Sequence, residues 1–211
     1  MCRHLAYTGR PVGLSGPLFD APRSLARQAE HPELQTSGDT NPDGWGVAWY
    51  TPRGDVPERH RTVTPIWEDS GFAARAAAIT SPAFLAAARL ASPGATLVET
   101  GNAPFVSAHW AFSLNGIVDG FREGVGDALR AELGPALADG IVSDADSEVL
   151  FALVLQDLDA GGEPACALAR VIRRVTALTT GRLNLLLTDG RHVYGTRYGN
   201  SLFGHSSFGA G

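Results

Sequence analysis

The chain has 211 residues, of which 44% are hydrophobic and 18% charged, a composition typical of a folded globular protein rather than a disordered one. This length suits one large domain with a substantial core, and we predict a single domain over residues 1–211. The formal net charge is -5 and no basic cluster occurs, which argues against nucleic acid as a partner. No run of about 18 apolar residues is present, so we expect no membrane partner either.

The reactive residue types narrow the chemistry further. All 17 basic residues are arginine, which excludes a Schiff-base lysine and a P-loop lysine. The two cysteines, Cys2 and Cys166, are too few for a disulfide framework, and the start of the chain lacks the apolar stretch of a signal peptide. We therefore expect a cytoplasmic protein whose thiols stay reduced. Cys166 falls in a helical pattern and is predicted to lie in the core.

Short runs of β-branched and aromatic residues predict strands, and longer runs with apolar residues three or four positions apart predict helices. In chain order, the strand-like runs are residues 3–8, 45–50, 59–64, 84–91, 109–114, 183–187, 193–196 and 201–203. The helical patterns cover residues 22–31, 70–80, 149–158 and 168–178. Strands dominate both ends of the chain without βαβ alternation, so we predict an α+β fold with antiparallel sheets covered by helices.

Cys2 is the first candidate catalytic residue. Removal of the initiator Met1 would leave Cys2 with a free α-amine beside its own thiol. The pKa of an α-amine is about 8 and that of a thiol about 8.5, so the amine can act as a base for the thiol near neutral pH. The alternative is that Cys2 is a small apolar residue that opens a strand.

Three further residues or pairs have both a functional and a structural interpretation. Arg89 interrupts an apolar run, where its guanidinium could bind a carboxylate at two points or emerge into solvent at a strand end. Asn115-Gly116 follows the strand predicted over residues 109–114. It could form an oxyanion hole or a hairpin turn that ends this strand. Asp146 precedes a helical pattern, and it could receive an ammonium group or cap the helix.

No spacing of histidines, cysteines or acids is typical of a metal site, and no phosphate-binding loop is present, so we expect no metal and no cofactor.

Six short segments, each a weak signal alone, together resemble the class II glutamine amidotransferases, a family of N-terminal nucleophile hydrolases. The matching segments, in family order, are MCR at 1–3, NPDGWG at 41–46, ARLASPG at 88–94, NAPF at 102–105, LNGI at 114–117 and DSE at 146–148.

The resemblance implies a four-layer αββα sandwich and a role for each matching residue. It assigns Cys2 as the nucleophile and Asn115 and Gly116 as the oxyanion-binding groups. It implies that the substrate is a small molecule with a γ-glutamyl group, that the protein binds its α-carboxylate and α-ammonium, and that further residues line the pocket. The residues implied for these contacts are Arg89, Ser92, Asp146, Gly44 and Phe105.

Within this family, the absence of a fused synthase and the segments NAPF at 102–105, RLN at 182–184 and GNSL at 199–202 favour one small group. Its members hydrolyse γ-glutamyl-hercynylcysteine sulfoxide in ergothioneine biosynthesis. A glutaminase subunit that passes ammonia to a separate synthase and a non-catalytic glutamate-binding module remain alternatives. Relatives continue beyond the last residue with a Ser-Glu-Pro segment, so the resemblance leaves a C-terminal truncation open, and the oligomeric state is not predicted.

The leaving amine of that substrate carries a trimethylammonium group, which proteins bind with aromatic faces. Four aromatic residues near the motifs are candidates for this contact. We predict that at least one of them lies at the mouth of the pocket: Trp45, Trp67, Trp110 or Phe105.

Overall fold

A computed structural model describes residues 2–33, 38–52, 54–92 and 94–206, and this part of the chain contains eight strands and six α-helices. The strands are β1 (Arg3–Gly13), β2 (Trp45–Thr51), β3 (Gly54–Thr62), β4 (Thr80–Ala88), β5 (Phe105–Ser107), β6 (Trp110–Val118), β7 (Gly181–Thr188) and β8 (Val193–Gly195). The helices are α1 (Leu25–Glu30), α2 (Ser70–Ala76), α3 (Val125–Arg130), α4 (Pro135–Asp139), α5 (Asp146–Asp159) and α6 (Pro164–Leu178).

The strands form two four-stranded sheets in which all neighbours are antiparallel. The first sheet has the order β1-β4-β2-β3, and the second has the order β5-β6-β7-β8. The predicted α+β class with antiparallel sheets is therefore confirmed.

The central strand β4 separates two layers of the core. Its alternate residues Phe84 and Ala86 pack with the helices on the outer side of the first sheet. Leu85, between them, points to the opposite side and packs against Ala111 and Leu186 of the second sheet. Because both faces of β4 are buried, its sequence is a continuous apolar run rather than an alternating one.

The second sheet is covered on its outer side by α5 and α6. Helix α6 places an apolar stripe against the sheet, formed by Ala167, Leu168, Val171 and Val175. Helices therefore lie outside both sheets, and the two sheets face each other across a thin layer of side chains that includes Ala48, Leu85, Ala111 and Leu186. This arrangement is the four-layer αββα sandwich that the sequence predicts.

Local signals explain where the helices begin. The side chain of Ser24 accepts a hydrogen bond from the amide of Arg27, so α1 begins after Ser24 rather than at residue 22. Asp69 accepts a hydrogen bond from the amide of Phe72 at 2.9 Å and caps α2 in the same way.

The predicted strand over residues 201–203 is absent from the structure, in which this segment is irregular. The buried side chain of Asn184 takes the place of a neighbouring strand here. Its Nδ2 donates to the carbonyl of Ser201 and its Oδ1 accepts from the amide of Tyr198, both at 2.9 Å. One side chain therefore satisfies backbone groups that a strand would have paired in a ladder.

The two sheets are also joined at one end by the hydroxyl of Tyr50 on β2. It donates to the carbonyl oxygen of His109, in the turn between β5 and β6, at 2.7 Å and to that of Thr188, on β7, at 3.0 Å. This end of the sandwich is opposite to the end that holds the candidate active site.

Candidate active site

A cleft with an empty volume of about 650 Å³, measured out to its open mouth, takes residues from both sheets and from the start of α5. Five of the predicted site residues line it: Cys2, Arg89, Ser92, Gly116 and Asp146. They come from four separate regions of the sequence, so the fold brings them together.

Cys2 immediately precedes β1 and is partly exposed to the cleft. Its thiol lies 3.7 Å from the carbonyl oxygen of Leu90, to which it donates. Burial raises the pKa of the Cys2 thiol above its ordinary value. The thiol is therefore protonated at neutral pH, and nucleophilic attack requires a base that removes its proton.

Arg89 follows the last residue of β4 and is held by both its backbone and its side chain. Its amide donates to the carbonyl of Gly44 at 2.8 Å. Its guanidinium donates to Oδ1 of Asn102 at 3.2 Å and to the carbonyl of Thr96 at 3.4 Å. These partners are neutral, so they orient the guanidinium without neutralising it, and its charge stays available for a carboxylate.

Asp146 is the first residue of α5. Ala145 occupies the N-cap position without a side-chain bond, so Asp146 does not cap the helix in the usual way. Its carboxylate accepts from the amide of Val118 on β6 at 3.1 Å and from that of Ser147 at 2.7 Å. Burial raises the pKa of this carboxyl, although the two amides and the charges of Arg122 and Arg89 oppose the rise.

Asn115 and Gly116 lie inside β6 and form no turn, which corrects the predicted end of the strand at this point. They pair with Asn184 and Leu183 of β7. A Cβ atom at position 116 would collide with the carbonyl group of Arg182, so only glycine fits this close approach of two strands. Gly116 lines the cleft beside Cys2.

The side chain of Asn115 is 7% exposed, and its Oδ1 is buried without a hydrogen-bond partner in the described part of the chain. A buried amide group without a partner is rare and needs an explanation. An oxyanion accepts hydrogen bonds, so the predicted role would use the Nδ2 donor of this amide and leaves the unpaired Oδ1 unexplained.

Two predicted substrate contacts lie outside the lining of the cleft. Gly44 has a φ of 103° and supports Arg89 from behind through its carbonyl group. Phe105, on β5, is 4% exposed and packs in the core between the second sheet and its helices. Neither residue therefore lines the cleft, because the carbonyl of Gly44 accepts from Arg89 and the side chain of Phe105 packs in the core.

The three tryptophans predicted near the pocket also pack elsewhere. Trp45 is fully buried, while Trp67 and Trp110 are partly buried against the two outer core clusters. The aromatic residue that lines the cleft is Phe121, which was not predicted. Its position depends on the turn at Gly120, where a φ of 66° redirects the chain after β6.

Arg122 is a second cleft residue that the sequence reasoning missed. It forms an ion pair of 3.2 Å with Asp144, which also accepts from the amide and the hydroxyl of Thr96 at 3.1 Å. Burial alone would raise the pKa of Asp144, but these donors outweigh burial and lower it. Arg89 donates to the carbonyl of Thr96, so Thr96, together with Asp144, connects the guanidinium groups of Arg89 and Arg122.

Cys166 is exposed on α6, and the prediction that it lies in the core is wrong. Its neighbours Ala167 and Leu168 carry the buried stripe of that helix, and Cys166 falls outside it. Among the residues that the structure describes, no group of three or more histidines, cysteines or acids could hold a metal ion. No helix in the same residues is long and apolar enough to cross a membrane.

The sandwich and its cleft define a family. The model of the class-II glutamine amidotransferases matches residues 30–203, and the chain belongs to this family. The chain is similar to γ-glutamyl-hercynylcysteine sulfoxide hydrolase from Mycobacterium tuberculosis strain CDC 1551, with 34% identity over 205 residues, 96% of this chain and 78% of the relative. The hydrolase of the same name from Mycolicibacterium smegmatis is 34% identical over 204 residues, 96% of this chain and 81% of the relative.

The chain is also similar to solved structures. A glutamine aminotransferase class-II domain protein from Silicibacter pomeroyi aligns with a TM-score of 0.63 and 28% identity, and the match covers 92% of this chain and 76% of that one. The glutamine phosphoribosylpyrophosphate amidotransferase from B. subtilis aligns with a TM-score of 0.55 over 90% of this chain and 35% of that one. At 13% identity, this second likeness shows a shared fold alone.

Proposed function

We propose that this protein is a γ-glutamyl amidohydrolase that uses Cys2 as its nucleophile and that its substrate is γ-glutamyl-hercynylcysteine sulfoxide. The observation that supports this most directly is the composition of one cleft. It holds a thiol, a guanidinium without a carboxylate contact and a partly buried carboxylate, supplied by Cys2, Arg89 and Asp146. These groups complement the carbonyl carbon, the α-carboxylate and the α-ammonium of a γ-glutamyl group.

The binding step orients the substrate by its two charged ends. Arg89 binds the α-carboxylate with two parallel hydrogen bonds, assisted by Ser92, and Asp146 accepts from the α-ammonium. Both protein groups are held by the backbone: Arg89 by Gly44, and Asp146 by the amide of Val118. A substrate bound at both ends presents its γ-carbonyl carbon to the thiol in a fixed geometry, which lowers the barrier to attack.

The chemical step begins in a chain that starts at Cys2. The α-amine removes the thiol proton, and Sγ forms a bond with the carbonyl carbon of the γ-amide while the carbonyl oxygen gains a negative charge. The amide of Asn115 and the backbone N–H of Gly116 donate to this oxyanion. When the carbonyl group re-forms, the C–N bond breaks and the leaving nitrogen takes the proton from the α-ammonium.

The second half of the reaction releases glutamate. A water molecule attacks the γ-glutamyl thioester and gives a proton to the α-amine of Cys2. The C–S bond then breaks, the sulfur recovers the proton, and the enzyme returns to its initial state. No step needs a metal ion or an external redox partner, because a proton and an acyl group are the only species transferred.

The choice of substrate within the family rests on the similarity to the two mycobacterial hydrolases over most of the chain. A glutaminase subunit would use the same residues, so the site does not separate the two activities. The discriminating assay compares release of glutamate from γ-glutamyl-hercynylcysteine sulfoxide, γ-glutamyl-cysteine and glutamine. We expect the highest kcat/KM with the first substrate; a preference for glutamine would identify a glutaminase instead.

Mass spectrometry of the stopped reaction tests the mechanism. We expect a γ-glutamyl adduct on the peptide that begins with Cys2 and no adduct on the peptide that contains Cys166. Binding of substrate without an adduct or glutamate release would instead identify a binding module.

A further inference from the structure

A polar side-chain pair joins the two sheets next to the cleft. Nδ1 of His4, on β1, lies 3.0 Å from Oγ of Ser113, on β6. Ser113 is fully buried, and the Nε2 atom of His4 is buried without a hydrogen-bond partner among the described residues. Neither residue lines the cleft, so the pair makes no contact with substrate there.

The alternation of side chains along the two strands places this pair directly behind the reactive groups. On β1, Ala6 packs in the layer between the sheets, so His4 and Cys2 share that face by the two-residue period of a strand. On β6, Ala111 packs in the same layer, and Ser113 and Asn115 follow on its face. Cys2 is thus the neighbour of His4 on one face of its strand, two positions away, and Asn115 stands in the same relation to Ser113.

The pair lies in the layer between the sheets, beside the buried apolar residues Ala48, Leu85, Ala111 and Leu186. Burial, with a smaller contribution from the charge of Arg3, lowers the pKa of His4 to about 3. A neutral imidazole with one buried nitrogen unpaired is less favourable in such a layer than an apolar pair of similar volume. Stability alone therefore gives no reason for a histidine and a serine at these positions.

We propose that the hydrogen bond between His4 and Ser113 sets the separation and register of β1 and β6, so that Cys2 and Asn115 meet the same substrate carbonyl group. His4 and Ser113 are positioning residues in this proposal, which rests on the function proposed above. Attack and oxyanion stabilisation come from opposite sheets, and the reaction needs both within hydrogen-bonding or bonding distance of one carbonyl. A small change in the distance between sheets would leave each group intact but lower their joint action.

The test compares variants of the full chain with γ-glutamyl-cysteine as substrate. Ser113→Ala and His4→Leu remove the hydrogen bond, whereas His4→Asn keeps a polar group near the position of Nδ1 and deletes the unpaired Nε2. Tyr50→Phe is the matched control, because it removes a hydroxyl that joins the same two sheets at the opposite end. The measurements are kcat, KM, the melting temperature and the rate at which iodoacetamide alkylates Cys2, followed on its own peptide.

We expect Ser113→Ala and His4→Leu to lower kcat by about tenfold to a hundredfold, with KM within about twofold of wild type. Alkylation of Cys2 should not change, since it needs the thiol but not Asn115. His4→Asn should recover most of kcat, and Tyr50→Phe should lower the melting temperature without lowering kcat.

Unchanged kcat in Ser113→Ala would overturn the proposal, as would an equal loss of kcat in Tyr50→Phe or a parallel loss of alkylation. If Ser113→Ala does not fold, the comparison of His4→Leu with His4→Asn decides, and equal kcat values in these two variants would count against the proposal. A wild-type chain that hydrolyses no γ-glutamyl amide would overturn the proposed function and this inference together. Normal wild-type turnover with an unaffected Ser113→Ala variant would overturn the inference alone.

Discussion

The backbone amide of Arg89 donates to the carbonyl of Gly44 at 2.8 Å, and the amide of Asp43 donates back to the carbonyl of Arg89 at 3.0 Å. This reciprocal pair fixes Arg89, the residue proposed to bind the α-carboxylate, to the segment that leads into β2. Gly44 has a φ of 103°, a conformation in which other residues are strained. The position of the guanidinium therefore depends on a glycine that is absent from the lining of the cleft.

Gly44→Ala is expected to lower stability and raise KM together. The new Cβ would collide with the amide of Asn102 and the carbonyl of Thr62, and the positive φ adds strain of about 1–3 kcal/mol. Chemical denaturation and steady-state kinetics provide the measurements. Gly161→Ala is the control, because Gly161 has a φ of 81° and open space around its Cβ position. A KM that rises equally in both variants would show that Arg89 is not displaced specifically.

Arg89→Lys should lower kcat/KM by about a hundredfold, because it keeps the charge but loses one of two charge-assisted bonds, each of which contributes about 1.5–3 kcal/mol. The matched measurement uses 4-aminobutanamide, which is glutamine without its α-carboxylate. Wild type and variant should hydrolyse this compound equally poorly. A hundredfold difference on 4-aminobutanamide as well would mean that Arg89 serves something other than the α-carboxylate.

Exposure of the α-amine of Cys2 should switch the enzyme on. A chain with a cleavable tag that ends immediately before Cys2 is expected to be inactive until a protease removes the tag, since burial keeps the thiol protonated and the amine is its base. Cys2→Ser should retain little activity after the same cleavage. Cys166→Ser, at an exposed position, should match wild type. Full turnover before cleavage would contradict the role of the amine.

Asp146 should determine how activity falls on the acid side of neutrality. Because burial raises the pKa of its carboxyl, Asp146 loses its charge at a higher pH than an ordinary aspartate, and the α-ammonium loses its partner as the pH falls through that value. A plot of kcat/KM against pH should show this acid limb in wild type and lack it in Asp146→Asn. An N-acetylated substrate should show little difference between the two proteins. Equal losses on both substrates would remove Asp146 from this role.

Phe121→Ala should reduce selectivity for the trimethylated substrate. Phe121 is the aromatic residue that lines the cleft in the described structure, and a cation–π contact contributes about 0.5–2 kcal/mol. We expect kcat/KM to fall about threefold to thirtyfold with γ-glutamyl-hercynylcysteine sulfoxide and to stay the same with γ-glutamyl-cysteine. The measurement is the ratio of the two kcat/KM values. An unchanged ratio would indicate that Phe121 contributes packing alone.

The sequence predicts best those features that one strong local pattern determines. Strand β2 and helix α6 carry such patterns, and the structure has both close to their predicted bounds. Asn115-Gly116 shows the opposite case, because the local preference of this dipeptide for a turn is overridden by pairing with Asn184 and Leu183. Strand pairing between distant segments is not visible in a single run of residues.

The residues of the cleft also divide into those that a local pattern predicts and those that it does not. Arg89 could be found because a charge within an apolar run needs a partner, and the structure places it in the cleft. Phe121 and Arg122 could not be found in this way, since nothing in their own segment distinguishes them from a surface turn. Their place depends on the left-handed conformation of Gly120 after β6. Phe105 is a related case: it was predicted from its motif, but its side chain packs in the core.

The thin layer between the sheets predicts where inactivating mutations should accumulate in a scan of the whole chain. Ala48 and Ala111 are both fully buried in this layer, and close-packed interiors yield little to added volume. A substitution such as Ala111→Val would push apart two surfaces that each carry part of the reaction. The map of sensitive positions should therefore extend along the whole inner face of both sheets, whereas the outer faces of the helices should accept most changes.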